Sequence, residues 1–197
     1  MKQDIILSGV GGQGIVSIAS VIGLAALEEN LHIKQSEVHG MSQRGGAVMS
    51  HLRFSSDPVA SDLIPLGQAH IILSAEPMES LRYLPYLSQN GWVVTNSRPF
   101  VNISNYPEIE TILNEIEKLP RAILADAEQL AEETGSVRTS NMVMLGVASP
   151  LLNLSVSALE KGIEKLFSSK TPEIIAQNLK AFYLGREIGE QKMKTRN

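Results

Sequence analysis

The sequence predicts an α/β sandwich, a three-layer and Rossmann-like fold with a mixed, mostly parallel sheet and a helical C-terminal third. Three observations predict it. Short apolar runs alternate with helical ones through the first two thirds of the 197 residues, as strand–crossover–strand units do. A glycine-rich turn, Gly9-Val10-Gly11-Gly12-Gln13-Gly14, joins the first apolar run to the first helical one. Residues Ala47 to Phe54 alternate, and Met49 to Phe54 suits a hairpin neighbour, so the sheet is not purely parallel.

Asp4 to Ser8 is the first strand, nearly all apolar, as a strand covered on both faces should be. The helix from Ile15 to Glu29 carries Ile15, Val16, Ile18, Ala19, Ile22, Ala26 and Leu27 and is apolar on most sides, so most of it should be covered. His32 to Val38 forms a second strand, His39 to Gly46 a polar loop, and Ser55 to Gly67, with Pro58 and Pro65, another loop. His70 to Ser74 is a strand, and Met78 to Leu87 a short helix whose end Pro85 disturbs. Asn90-Gly91 reads as a turn before a strand from Trp92 to Asn96, and Pro99 to Pro107 as irregular. Glu108 to Leu119 is amphipathic, with Ile109, Ile112, Leu113 and Ile116 on one stripe, and Pro120 ends it. Arg121 to Asp126 is the last strand; Ala127 to Glu133 is a helix stopped by Gly135. Then come helices: Asn141 to Ala148, one opened by a capping box at Ser157-Ala158-Leu159-Glu160 and running through Phe167, and one opened at Thr171-Pro172 and running to about Ile188. With no repeat, low-complexity segment or linker, one domain over residues 1–197 is expected.

Composition narrows the function classes. The net charge is −4 and no dense Lys/Arg block occurs, which argues against nucleic-acid binding. No apolar stretch reaches transmembrane length. Met1-Lys2-Gln3-Asp4 runs straight into a strand without the layout of a signal peptide, so a cytoplasmic protein without membrane attachment is expected. There is no cysteine, which excludes disulfides and cysteine-ligated iron–sulfur clusters on this chain. The four histidines, His32, His39, His51 and His70, are scattered, and a metal site is not expected.

Chemistry concentrates at three places. The glycine turn fits G-x-G-x-x-G between a strand and a helix. Glycine lets the chain turn sharply and lets amides approach a ligand, and the helix start adds unpaired N–H groups and positive charge suited to a phosphate or carboxylate. For NAD, an acidic residue roughly twenty residues on would hold the ribose, and Glu37 stands near that place. A turn that only links strand to helix stays equally open. The second place is Ser42-Gln43-Arg44-Gly45-Gly46, where a planar guanidinium flanked by glycines could hold an anion or a partner chain, or Arg44 could simply pair with Glu37. The third comprises Glu76-Pro77 and Asn96-Ser97-Arg98-Pro99 after strands; Arg98 is a possible anion contact with Glu76 as its partner, but loop architecture is the favoured role, each segment capping or terminating an element, and Asp126 and Asn141 could also cap helices. No catalytic triad, nucleophile elbow or Walker loop is visible, and no catalytic residue is assigned.

Gly9-Val10-Gly11-Gly12-Gln13-Gly14-Ile15 together with Ser36-Glu37-Val38-His39-Gly40-Met41-Ser42-Gln43-Arg44-Gly45-Gly46 resembles the gamma-type module of the 2-oxoacid:ferredoxin oxidoreductases. Glu76-Pro77-Met78-Glu79-Ser80-Leu81-Arg82-Tyr83-Leu84, Asn96-Ser97-Arg98-Pro99, Asn141-Met142-Val143-Met144-Leu145-Gly146 and Asn178-Leu179-Lys180-Ala181-Phe182 are similar to segments of the branch that acts on aryl 2-oxoacids such as indolepyruvate. The resemblance implies an obligate subunit of an enzyme that decarboxylates a 2-oxoacid oxidatively, forms an acyl-CoA thioester and CO2, and reduces ferredoxin. It implies thiamine diphosphate and iron–sulfur clusters on a large alpha subunit, CoA as co-substrate, and no cofactor held by this chain alone. It further implies a contact surface for CoA or the partner at Gly9, Gly11, Gly12, Gln13 and Gly14 and at Ser42, Gln43, Arg44, Gly45 and Gly46. Isolated, the chain could pair with a second copy through its docking face. The alternatives are a subunit acting on pyruvate, 2-oxoglutarate or 2-oxoisovalerate, a stand-alone NAD-binding dehydrogenase, or a scaffold that kept the fold.

Overall fold

A computed structural model describes residues 1–39, 45–101 and 103–196. Six strands form one sheet in the order β2-β3-β1-β4-β5-β6: β1 (Lys2–Val10), β2 (His32–His39), β3 (Ala47–Ser55), β4 (Ala69–Ser74), β5 (Leu87–Asn96) and β6 (Ala122–Ala125). The β1–β4, β4–β5 and β5–β6 pairs are parallel. β3 runs antiparallel to both of its neighbours, β1 and β2, which is the mixed sheet that the alternation of residues 47–54 predicts.

The pleat of β1 sorts the core into two layers. Ile5 and Leu7 face one side with α1 (Ile15–Glu28), α5 (Ser140–Ala148), α6 (Val156–Leu166) and α7 (Pro172–Arg196). Ile6 faces the other, with Ile72, Val93, Ile112 and Ile116, under α2 (Pro77–Arg82) and α3 (Ile109–Glu117). α4 (Ala127–Glu132) follows β6 and packs Ala127 and Ala131 into the larger layer. The apolar character of α1 on most sides follows from its place between the sheet and α6, although Val16 and Leu27, expected with the covered residues, stay exposed. It stops where Asn30 adopts a left-handed φ of 58°, with Leu31 N–H bonding Ala26 C=O and Asn30 N–H bonding Leu27 C=O, a Schellman ending.

α5 and α7 touch backbone to backbone. A Cβ on Gly146 would run into the carbonyl oxygen of Phe182, one on Gly185 into that of Val143, and one on Gly189 into that of Val147.

Beyond shifts of one or two residues at other element ends, as at β1, four boundaries differ from the expectation. Residues 87–96 form one strand rather than a turn followed by a strand; Ala69 pairs with Leu87 but Ile71 with Trp92, so the extra residues around Asn90-Gly91 bulge out of register. The helix expected from Met78 to Leu87 ends at Arg82, and a 3₁₀ turn at Leu84–Tyr86 holds Pro85. α6 is capped by Ser155, whose Oγ accepts the Ala158 N–H at 3.2 Å, not by Ser157. That start puts Leu154 before the cap and Leu159 at the fourth helical position, both in the core, a hydrophobic staple that the later start would lose. α7 continues past Ile188 to Arg196.

Candidate functional site

The turn after β1 is built by its own side chain. The Gln13 N–H donates to the Val10 carbonyl at 3.1 Å. Gln13 Oε1 accepts the Val10 N–H at 2.7 Å, and Nε2 donates to the Ala75 carbonyl at 3.1 Å. One amide therefore closes the turn and ties it to the end of β4. Gly12 has φ 104° and Gly14 φ 77°, conformations that a Cβ strains. Gly14 caps α1 with its carbonyl, which accepts from Ser17 N at 3.0 Å and Ile18 N at 3.2 Å. It also admits Asn141: a Cβ on Gly14 would lie 2.5 Å from Asn141 Nδ2. The Gly11 N–H donates to the Gly46 carbonyl at 2.9 Å, so the glycine turn meets the start of β3.

The turn forms one wall of a cleft of about 350 Å³. The opposing walls are the ends of β4 and β5 at Ala75 and Asn96, the first residues of α4 and α5, Phe100, and Arg138 from a 3₁₀ turn at Val137–Thr139. α1 lies on one face of the sheet while α2 and α3 lie on the other, so the crossovers change face between β1 and β4. Ligands of open α/β sheets gather at that switch point, beyond the carboxyl ends of the strands. A smaller hollow of about 300 Å³ lies on the other side of the turn, lined by Val10, Gly11, Val16 and Val48.

Asn96 is the clamp of this end. It is buried; its Oδ1 accepts the Ala127 N–H at 3.1 Å, and its Nδ2 donates to the Ala75 carbonyl at 3.3 Å and to Glu128 Oε2 at 2.9 Å. Arg98 is not an open anion contact: it is paired with Asp126 at 2.8 Å, while Asp126 also caps α4 through the Gln129 N–H at 2.9 Å. Glu76 is not the partner of Arg98 either. It is wholly buried, accepts the Glu79 N–H at 2.8 Å as cap of α2, and accepts the Tyr106 hydroxyl. Burial, and then the Glu76 carboxylate, push the Tyr106 phenol far above its ordinary range. Asn141 does not cap α5, which begins at Ser140 without a side-chain cap; it packs on Gly14 instead.

Of the sequence candidates, Gly12, Gln13 and Gly14 line the cleft, Gly11 faces the smaller hollow, and Gly9 sits behind the turn with no room for a side chain beside Gln13 and Ala75. Gly45 has a left-handed φ of 76°, and Gly46 contacts Gly11. Ser42, Gln43 and Arg44 lie outside the described residues. Sequence reasoning missed Arg138. Its signal was the absence of any acidic residue within four positions, which leaves the guanidinium without a local ion partner.

The dinucleotide reading meets a geometric obstacle. β3 stands between β1 and β2, with Leu7, Ser50 and Glu37 in one cross-strand row. Glu37 is therefore two strand spacings, roughly 10 Å, from β1, whereas an NAD-binding acid stands on the adjacent strand. His70 and His51 lie away from the cleft: His70 Nδ1 accepts the Asp4 N–H at 3.0 Å and His51 Nδ1 the Ile64 N–H at 3.1 Å. Among the described residues no cluster of His, Cys, Asp and Glu could hold a metal ion, and no helix is long and apolar enough to cross a membrane.

Residues 4–188 match the model of the pyruvate ferredoxin/flavodoxin oxidoreductase family. The chain belongs to that family. Its members are subunits of oxidoreductases that act on 2-oxoacids. The chain is 39% identical to the indolepyruvate oxidoreductase subunit IorB of Pyrococcus horikoshii, over 98% of this chain and 99% of the relative. It is 30% identical to the 2-oxoglutarate synthase subunit KorC of Methanocaldococcus jannaschii, over 97% of this chain and 96% of the relative. In fold it is similar to the 2-oxoglutarate:ferredoxin oxidoreductase of Magnetococcus marinus, solved with 2-oxoglutarate, coenzyme A and succinyl-CoA, with a TM-score of 0.77 at 23% identity. That match covers 96% of this chain and 31% of the other, so the same fold is there one part of a longer polypeptide.

Proposed function

We propose that the chain is the small, cluster-free subunit of an indolepyruvate:ferredoxin oxidoreductase, working in the cytoplasm as one domain beside a large alpha subunit. The observation that carries this reading is the end-to-end match at 39% identity to a subunit of that activity, against 30% for the 2-oxoglutarate synthase subunit. Iron–sulfur clusters need thiolate ligands, and these 197 residues contain no cysteine. On this reading the clusters and thiamine diphosphate belong to the alpha subunit, which hands electrons to ferredoxin.

This chain contributes a wall of the route by which CoA reaches the acyl group. The glycine turn at Gly9, Gly11, Gly12, Gln13 and Gly14 brings the start of α1 to the cleft, where backbone N–H groups and helix polarity favour a phosphate. Arg138 faces it with a guanidinium that matches phosphate oxygens in pairs. The contact toward the alpha subunit is assigned to Ser42, Gln43, Arg44, Gly45 and Gly46. The exposed Phe100, Val101 and Val137 near the cleft suit a protein partner, and in the isolated chain the same patch would serve a second copy.

The test is co-expression with the alpha subunit and viologen reduction driven by indolepyruvate, 2-oxoglutarate or pyruvate. The expected result is CoA-dependent turnover of indolepyruvate that needs both chains, with Arg44→Ala and Arg138→Gln raising the KM for CoA about tenfold and changing kcat less. Full turnover by the alpha subunit alone would overturn the reading, and a preference for 2-oxoglutarate would move the substrate to that alternative.

A further inference from the structure

Between β5 and α3 the described residues form neither helix nor strand, and most of their side chains are exposed. Phe100 belongs to this stretch, yet it forms part of the cleft wall beside Ala75 and Asn96. A residue on an exposed connection keeps one place only if something inside the protein holds it.

The start of the connection is held at the surface. The Ser97 N–H donates to the Ala125 carbonyl at 2.9 Å, and Arg98 pairs with Asp126 at 2.8 Å. Both members of that pair are partly exposed, and such pairs contribute little. Beyond Arg98, two contacts converge on one buried oxygen. The Phe100 N–H donates to Glu76 Oε1 at 3.4 Å, and the Tyr106 hydroxyl donates to the same atom.

Glu76 is built to hold them. Its residue is fully buried at the end of β4. Its main chain is fixed by Ser74, whose Oγ accepts the Glu76 N–H at 3.2 Å and donates to the Glu76 carbonyl at 2.6 Å. Oε2 accepts the Glu79 N–H at 2.8 Å as the cap of α2, so Oε1 is the oxygen left for residues 100 and 106. Burial, and then the bond to Glu76, raise the Tyr106 phenol far above its ordinary range, so it remains a donor at neutral pH.

We propose that Glu76 is a positioning residue, which sets Phe100 in the cleft wall through the Tyr106 hydroxyl and the Phe100 main chain. One carboxylate divides its oxygens between a helix and a wall. The kinetic consequence rests on the function proposed above; the anchoring does not.

The experiment is limited digestion of the full chain with chymotrypsin, timing the cut after Phe100. The Tyr106–Pro107 bond resists this protease because proline follows, so residues 97–108 offer one aromatic site. Cutting of a native chain follows the population of the opened segment. Tyr106→Phe, which keeps the ring, should speed the cut about tenfold or more. Glu76→Asp should do the same, since aspartate still caps a helix but ends one methylene short of Tyr106. Arg98→Gln should change the rate by no more than about twofold. In the complex with the alpha subunit, Tyr106→Phe should raise the KM for CoA severalfold and leave kcat within about twofold. An unchanged cut in Tyr106→Phe, or an equal gain in Arg98→Gln, would overturn the anchor. A faster cut with both kinetic constants unchanged would overturn the positioning role. Absence of CoA-dependent turnover in the wild-type complex would count against the function proposed above, while the rates of cutting would still decide the anchor.

Discussion

At the amino-terminal end of β1, charge is buried and answered. Arg53 donates to both carboxylate oxygens of Asp4, at 2.8 and 3.1 Å, and reaches the carbonyls of Ser61 and Leu63 at 2.9 and 2.8 Å. His51, beside it, holds the Ile64 N–H and packs edge-on against Tyr86. These contacts lace the loop over residues 56–68 onto the sheet. At the carboxyl end, Gln13, Asn96 and Asp126 satisfy the turns in a similar way, yet Arg138 is left over among the described residues. The difference separates architecture from readiness to bind: a group answered inside the chain holds shape, and an unanswered charge at a cavity wall is available to something outside.

The largest expected effect breaks the first end. Arg53→Met leaves the Asp4 carboxylate buried without its main partner and should cost about 3–5 kcal/mol, read as a lowered urea midpoint, with Asp4→Asn in the same chain recovering part of it. Gly14→Ala tests the other end, since the left-handed φ and the contact with Asn141 both resist a methyl group. It should cost about 1–3 kcal/mol and weaken CoA use by the complex.

A third test is acidity. Burial pushes the His51 imidazole below its ordinary value; the charge of Asp62 opposes this and that of Arg53 adds to it. The unfolded chain therefore takes up this proton first. The stabilisation is complete above the unfolded pKa of about 6.5 and falls as pH drops from there through the folded value. Urea midpoints measured across that range should decline with acid in the wild type and less steeply in His51→Gln, whose amide oxygen can still accept from Ile64. The smallest effect sharpens the contrast: Arg138→Gln should change stability by no more than about 0.5 kcal/mol while raising the KM for CoA.

What the sequence made legible follows from what is local. The glycine turn, the apolar β1 and the alternation of residues 47–54 each declare their conformation within a few positions, and together they give the mixed sheet. The register bulge at Asn90-Gly91 is different. It depends on Leu87 pairing with Ala69, and Asn-Gly alone reads as a turn. The partners of Glu76 and Arg98 were equally out of reach, because Tyr106 stands thirty residues from Glu76 and Asp126 twenty-eight from Arg98. Arg98, beside a proline at a strand end, stood out as a possible anion contact, while Arg138 in an ordinary polar stretch did not. Which of two arginines is neutralised is decided by tertiary contacts.

Gly185 and Gly189 stand one helical turn apart on α7, and both notches face the main chain of α5. The long helix therefore has a single azimuth. Adding or removing one residue ahead of Gly185 would rotate everything beyond it by roughly 100° and swing bulky neighbours such as Leu184 or Arg186 into a slot sized for hydrogen. Length variation along this helix should be tolerated best beyond Gly189, the last of these notches.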